Sequence, residues 1–130
     1  MSTILLVEDE SQQREVLAMM FESEGYTVTG VSSAEEALTH LTTTVPQLVV
    51  TDVKLGGVDG ISMFELCRQQ ERLSNLPFIF ITGYNDPEAI ERVTLLGSAD
   101  YITKPYELEM LLSRVKKQCP PGGANPTGRA

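Results

Sequence analysis

Cysteine is scarce in this chain: Cys67 falls inside a helical pattern and Cys119 in the closing stretch, which makes no disulfide framework. A reducing, cytoplasmic setting is the expectation. Long hydrophobic runs are missing as well. The apolar runs are strand-sized, far short of the ~20 residues that a membrane span needs. No basic segment followed by an apolar one succeeds Met1, so no signal peptide is expected. Positive charge is in deficit, with 10 Lys and Arg against 18 Asp and Glu for a formal −8, which argues against a surface that binds nucleic acid directly. The single histidine, His40, reads as a surface residue on a helix rather than a ligand or reactive group.

What is present suits one packed domain. The chain has 130 residues, 42% of them hydrophobic and 22% charged, close to the soluble globular average. A membrane protein, a secreted disulfide scaffold and a multidomain enzyme are not expected on these grounds.

Short apolar runs alternate with amphipathic stretches. Thr3 to Val7 is a continuous apolar run, as in a strand covered on both faces, and ends at Glu8-Asp9-Glu10. Ser11 offers a helix cap, Val16, Leu17, Met20 and Phe21 recur at helical spacing, and Gly25 stops that helix. Tyr26 to Val31 is β-prone, and a second helix runs from Ser33 through Leu41. Gln47 to Thr51 forms a third buried strand that delivers Asp52 at its end. A loop with Gly56, Gly57 and Gly60 leads to a helix through Arg68. Pro77 to Ile81 is a fourth strand, ending at Thr82-Gly83, and Asp86-Pro87 caps a helix that closes at Gly97. Ala99 to Ile102 is a short fifth strand before Lys104-Pro105, and the last helix is expected to bury Leu108, Leu111, Leu112 and Val115, with Tyr106 stapling it to the sheet.

This alternation predicts an α/β domain over residues 1–118, with a parallel sheet covered by helices on both faces. Residues 119–130, rich in Pro and Gly, read as a linker or disordered tail. Either the chain stops there or a further domain follows.

In an open parallel sheet, ligands bind beyond the carboxyl ends of the strands. Those ends deliver Glu8, Asp9 and Asp52, the hydroxyl of Thr82 and the ammonium of Lys104. Three crowded carboxylates repel one another and a single ammonium cancels only one charge, so a hard divalent cation would relieve the rest. Carboxylates plus water are what Mg²⁺ prefers. The loop Glu8 to Gln13 is acidic and lacks the glycines of a phosphate-binding turn, which disfavours a nucleotide or flavin site.

Glu8-Asp9 after the first strand, Asp52 after the third, Thr82 after the fourth and Lys104-Pro105 after the fifth together resemble the receiver domain of two-component response regulators, the CheY-like superfamily. The resemblance runs from Ile4 to about Lys117. It implies a flavodoxin-like (βα)5 three-layer sandwich, with a five-stranded parallel sheet in the order 2-1-3-4-5. It also implies roles. Asp52 would be the phosphoacceptor, taking a phosphoryl group from the phosphohistidine of a sensor histidine kinase or histidine phosphotransfer protein. Glu8, Asp9, Asp52 and the main-chain carbonyl of Lys54 would hold Mg²⁺, or Mn²⁺ in its place. Lys104, Thr82 and the Gly83 amide would contact the phosphoryl group. Tyr101 takes the place of the family's switch aromatic, turning as Thr82 is drawn toward the phosphate and altering the surface of the fourth helix, fifth strand and fifth helix. That surface could support a homodimer through Glu91, Arg92, Asp100, Arg114 and Lys117. The Lys104–Pro105 bond is cis in the family.

On this reading the domain catalyses only its own phosphorylation and dephosphorylation and is not an enzyme that transforms a metabolite. Any output activity belongs to a linked domain beyond residue 130 or to a separate partner. Two alternatives stay open. An aspartate-nucleophile phosphatase usually carries a second aspartate two residues past the nucleophile, where this chain has Lys54. A docking module that is never phosphorylated is the other. The reading requires the carboxyl groups of Asp9 and Asp52 to lie close enough to share one ion.

One departure from the family is Gly56-Gly57 where proline is usual after the acceptor. Lys54 and Tyr84, two residues past Asp52 and Thr82, flank the phosphoryl group in the family, and bulk there limits the approach of hydrolytic water. Lys54→Ala and Tyr84→Ala are therefore expected to hasten acyl-phosphate decay, and unchanged decay rates in both would refute this role.

Overall fold

The computed structural model describes residues 2–97 and 99–121. Five strands, β1 (Thr3–Val7), β2 (Thr27–Val31), β3 (Leu48–Asp52), β4 (Phe78–Gly83) and β5 (Asp100–Lys104), alternate with helices α1 (Ser11–Ser23), α2 (Ala34–Leu41), α3 (Gly60–Arg68), α4 (Pro87–Leu96) and α5 (Leu108–Gln118). A 3₁₀ turn, Glu71–Leu73, which the sequence pattern did not announce, lies between α3 and β4. The strands are all parallel and lie in the order β2-β1-β3-β4-β5.

Side chains that alternate along each strand divide the core in two. Leu5, Val7, Val49, Phe78 and Phe80 face the layer of α2, α3 and α4, where they meet Ala37, Leu41, Ile61, Phe64 and Val93. Ile4, Leu6, Leu48, Val50, Ile79 and Ile81 face α1 and α5, against Leu17, Phe21, Leu111 and Val115. This gives a three-layer sandwich. β3, in the middle, is buried along its whole length, as its unbroken apolar run requires. Phe64 packs edge-on against Phe78 and Phe80, with ring centroids 5.0 and 5.6 Å apart.

Several expectations shift. The cap of α1 is Glu10 rather than Ser11: its carboxylate accepts the Gln13 amide at 2.7 Å. Val16 and Leu108, expected inward, are exposed, whereas Leu17, Phe21, Leu111 and Val115 face inward as expected. Ser33 and Asp86 cap α2 and α4 as expected, and Gly97 ends α4 with φ +78°, a left-handed value that suits glycine. His40 is half-buried. Tyr106 packs against the cluster that joins the sheet to α5, as expected, and its hydroxyl also reaches α1, accepting from Gln13 Nε2 at 2.8 Å.

Cys119, assigned to the tail by its sequence, is part of the core. The buried Tyr26 hydroxyl donates to its carbonyl, and Ser2 Oγ donates to the carbonyl of Pro120, so both ends of the described chain meet beneath β1. Burial pushes the Tyr26 hydroxyl up to about 12. Residues 122–130 of the expected tail lie outside the described residues.

The chain turns sharply after β3. Val53 extends the pairing by donating to the Ile81 carbonyl, and the Gly60 amide returns to the Val53 carbonyl at 2.8 Å. Gly60 therefore lies directly on the Asp52 main chain, and a Cβ there would collide with the Asp52 carbonyl oxygen. Gly56, four residues earlier, faces open space. Gly60→Ala is expected to cost about 1–3 kcal/mol, read as a lowered thermal midpoint, because backbone cannot move aside as a side chain can. Gly56→Ala should stay within about 0.5 kcal/mol of the parent protein.

Candidate metal and phosphoryl site

Strand register brings distant residues to one edge. Val7 pairs with Thr51, so Glu8 follows β1 beside Asp52, the last residue of β3. Asp52 pairs with Ile81 and Gly83 with Lys104, which sets Thr82 and Lys104 on the other flank. Glu8, Asp9 and Asp52 each present a carboxylate oxygen within 4.8 Å of the others. The proximity that the sequence reading demanded is met.

These groups differ in setting. Glu8 and Asp52 are 3% and 5% exposed, whereas Asp9 stands in solvent. Glu8 Oε2 accepts the Glu10 amide at 3.1 Å, and Arg14 holds the Glu8 carbonyl from α1 at 2.7 Å. Gly30 on β2 leaves room for the Arg14 stem, 3.3 Å from where a Cβ would stand. Lys104 Nζ lies 3.5 Å from Asp52 Oδ2 with its side chain 45% exposed. The Lys104–Pro105 bond is cis. Thr82 is buried on β4, and its Oγ1 and Asp52 Oδ1 are buried with no hydrogen-bond partner among the described residues.

Asp52, Thr82, Gly83 and Lys104 line a cleft of about 330 Å³ with Lys54, Ile81, Asn85 and Asp86. Lys54 is on the surface and pairs with Asp86 at 3.3 Å. Tyr84 is exposed. Tyr101 is half-buried on β5, opposite Phe80 and packed against the α2–α4 side of the core. The loop with Gly56-Gly57 is tethered: Glu35 on α2 accepts the Val58 amide at 3.2 Å, and Gly57 has φ +86°. Of the charges considered for a dimer, Arg92 pairs with Asp59 and Arg114 with Asp100 inside the chain.

Burial, and then the neighbouring Glu8 carboxylate, push the Asp52 carboxyl up to about 8; Lys104, half in solvent, offsets only part of this. Two orphaned buried oxygens and a trio of crowded carboxylates form a donor set that fits a hard cation, with space beside it for a tetrahedral oxyanion.

A parallel α/β sandwich carrying an acidic, cation-ready edge opposite one lysine defines the class. Residues 4–116 match the family model for the response regulator receiver domain, and the chain belongs to that family. It is 34% identical over 116 residues to the transcriptional regulatory protein AfsQ1 of Streptomyces coelicolor, which covers 89% of this chain and 50% of AfsQ1. The chain thus spans about half the length of that relative. Among solved structures, the signal receiver domain of a signal transduction histidine kinase from Syntrophus aciditrophicus superposes with a TM-score of 0.85 at 34% identity, covering 91% of this chain and 89% of that one. The response regulator protein TrrA from Thermotoga maritima, solved in complex with Mg²⁺–BeF, gives 0.79 at 26% identity, covering 91% and 99%. The flavodoxin-like fold and strand order expected from the sequence are those observed.

The Arg14 contact, the Glu35 tether and the close seat of Gly60 were not anticipated. Only the glycines left a trace in the sequence, and that trace does not say what approaches them. The Asp52 carboxyl keeps its proton in the folded chain up to about 8, whereas it ionises near about 4 when unfolded. The folded state thus binds more protons across this window, and the cation-free protein loses stability as pH rises through it. Asp52→Asn is expected to raise the thermal midpoint, with a gain that grows from pH 4 to pH 8. A gain independent of pH would overturn this.

Proposed function

We propose that this chain is a phosphoacceptor switch in which Asp52 receives a phosphoryl group from the phosphohistidine of a sensor kinase or histidine phosphotransfer protein. The observation that carries the reading is the clustering of Glu8, Asp9 and Asp52 within 4.8 Å of one another, with Lys104 across from them. In the transfer an Asp52 carboxylate oxygen forms the new P–O bond as the P–N bond breaks. The departing imidazole nitrogen keeps the electron pair and takes up a proton. Transfer of this kind needs positioning and charge stabilisation more than covalent assistance.

Glu8, Asp9, Asp52 and the main-chain carbonyl of Lys54 would hold Mg²⁺ or Mn²⁺. Bound there, the cation favours ionised Asp52 and neutralises charge on the phosphoryl oxygens. Lys104 contributes a second positive charge from the opposite flank. The unpartnered Thr82 hydroxyl gains an acceptor once Asp52 is modified, and this draws Thr82 inward. Tyr101, at the edge of the core on the neighbouring strand, turns into the space so opened and reshapes the α4–β5–α5 surface. Phosphorylation need only favour one of two existing conformations by its differential contacts.

The relation to AfsQ1, which is twice as long, supports an output domain attached to or partnered with this one. A dimer through α4–β5–α5 and a cytoplasmic location are further expectations. No helix among the described residues is long and apolar enough to cross a membrane.

Intact-protein mass spectrometry after treatment with a small phosphodonor and Mg²⁺ tests the reading. One phosphoryl group per chain is expected, lost in Asp52→Ala and on chelation of the cation. Continuous turnover of a phosphomonoester without stoichiometric labelling would instead favour a phosphatase. A folded protein that neither labels nor turns over would be a docking module.

A further inference from the structure

The loop after β3 and helix α4 are joined by two ion pairs of the same construction. Asp86 caps α4 by accepting the Ala89 amide on Oδ1 at 3.1 Å, while its Oδ2 pairs with Lys54 Nζ at 3.3 Å. Asp59 caps α3 by accepting the Ser62 amide on Oδ1 at 2.7 Å, while its Oδ2 pairs with Arg92 of α4 at 3.0 Å. Each carboxylate thus serves a helix end and a cation at once. The Ala89 amide, aided by Lys54 and Arg92, holds the Asp86 carboxyl below the usual carboxylate range.

The two pairs differ in place. Lys54 and Asp86 both line the cleft that contains Asp52, whereas Asp59 and Arg92 are not among its lining residues. The Lys54 side chain is 82% exposed, a flexible stem whose ammonium can be redirected at small cost.

We propose that the Lys54–Asp86 ion pair is a charge latch on the first turn of α4, opened when a phosphoryl group on Asp52 competes for the Lys54 ammonium. This rests on Asp52 being the phosphoacceptor. The acyl phosphate carries about two negative charges where the Asp52 carboxylate carried one, against the single charge of Asp86. Lys54 exchanges partners, Asp86 keeps its cap but loses its cation, and the Asp59–Arg92 pair still holds the middle of α4. The release therefore falls on residues 86–91, next to the loop that follows Thr82.

Asp86→Asn separates the two duties of the side chain, because asparagine caps a helix about as well as aspartate but carries no charge. With Lys54 already free, labelling by a small phosphodonor and Mg²⁺ is expected to be about two- to fivefold faster than in the parent, the range that an exposed pair spans. The gain should vanish when Lys54→Met is the background and shrink in high salt. Amide hydrogen exchange over residues 86–91 gives a second readout, which in the unlabelled variants needs no cation. It should rise in the parent only after labelling, and be raised beforehand in Asp86→Asn and in Lys54→Met. Labelling in Asp86→Asn at the parent's rate, or an equal gain without Lys54, overturns the latch. Should Asp86→Asn fail to fold, exchange in Lys54→Met decides alone, and parent-like protection of residues 86–91 there overturns it. A parent that takes no label overturns the phosphoacceptor reading itself, and the latch with it.

Discussion

Everything at the functional edge depends on the mutual repulsion of carboxylates held out of water. Glu8 and Asp52 are buried side by side, with Asp9 close by. Left alone, the group minimises its charge by keeping a proton on Asp52. A protonated carboxylic acid is a poorer ligand and a poorer nucleophile than the carboxylate, so the crowding sets how reactive this oxygen is. The unpartnered Asp52 Oδ1 and Thr82 Oγ1 belong to the same economy: both are buried polar atoms whose partners would come from outside the chain.

The fold tolerates this strain because it is confined to one end of a well-packed body. Each strand divides its side chains between two apolar clusters, and β3, which carries Asp52, is shielded from solvent along its length. The acidic cluster is therefore mounted on the most constrained strand of the sheet. Its surface neighbours, Lys54 and the loop beyond it, are tied instead by surface charges and by the Glu35 carboxylate. The carboxylate thus stands on a rigid strand, beside a loop held by surface contacts.

Much of this was readable from the chain alone. Strands buried on both faces are written as unbroken apolar runs, and Glu8, Asp9, Asp52, Thr82 and Lys104 stand at the ends of such runs, where register brings them together. Helical faces were less legible. Val16 and Leu108 have the right spacing to face inward, yet helix rotation is set by the whole stripe, and Leu17, Phe21, Leu111 and Val115 prevailed. Cys119 gave no sign of joining the core, because the Tyr26 hydroxyl that holds its carbonyl is 93 residues away. The paired duties of Asp86 were half visible. A cap is a local pattern, whereas the cation that shares the carboxylate comes from another element.

The hydrogen bond between Ser2 and Pro120 has a practical corollary. Five strand residues, about 17 Å of chain, separate this pole from Glu8 at the opposite end of β1. A dye or tether placed next to Pro120 therefore starts from the opposite end of the strands from the acidic cleft.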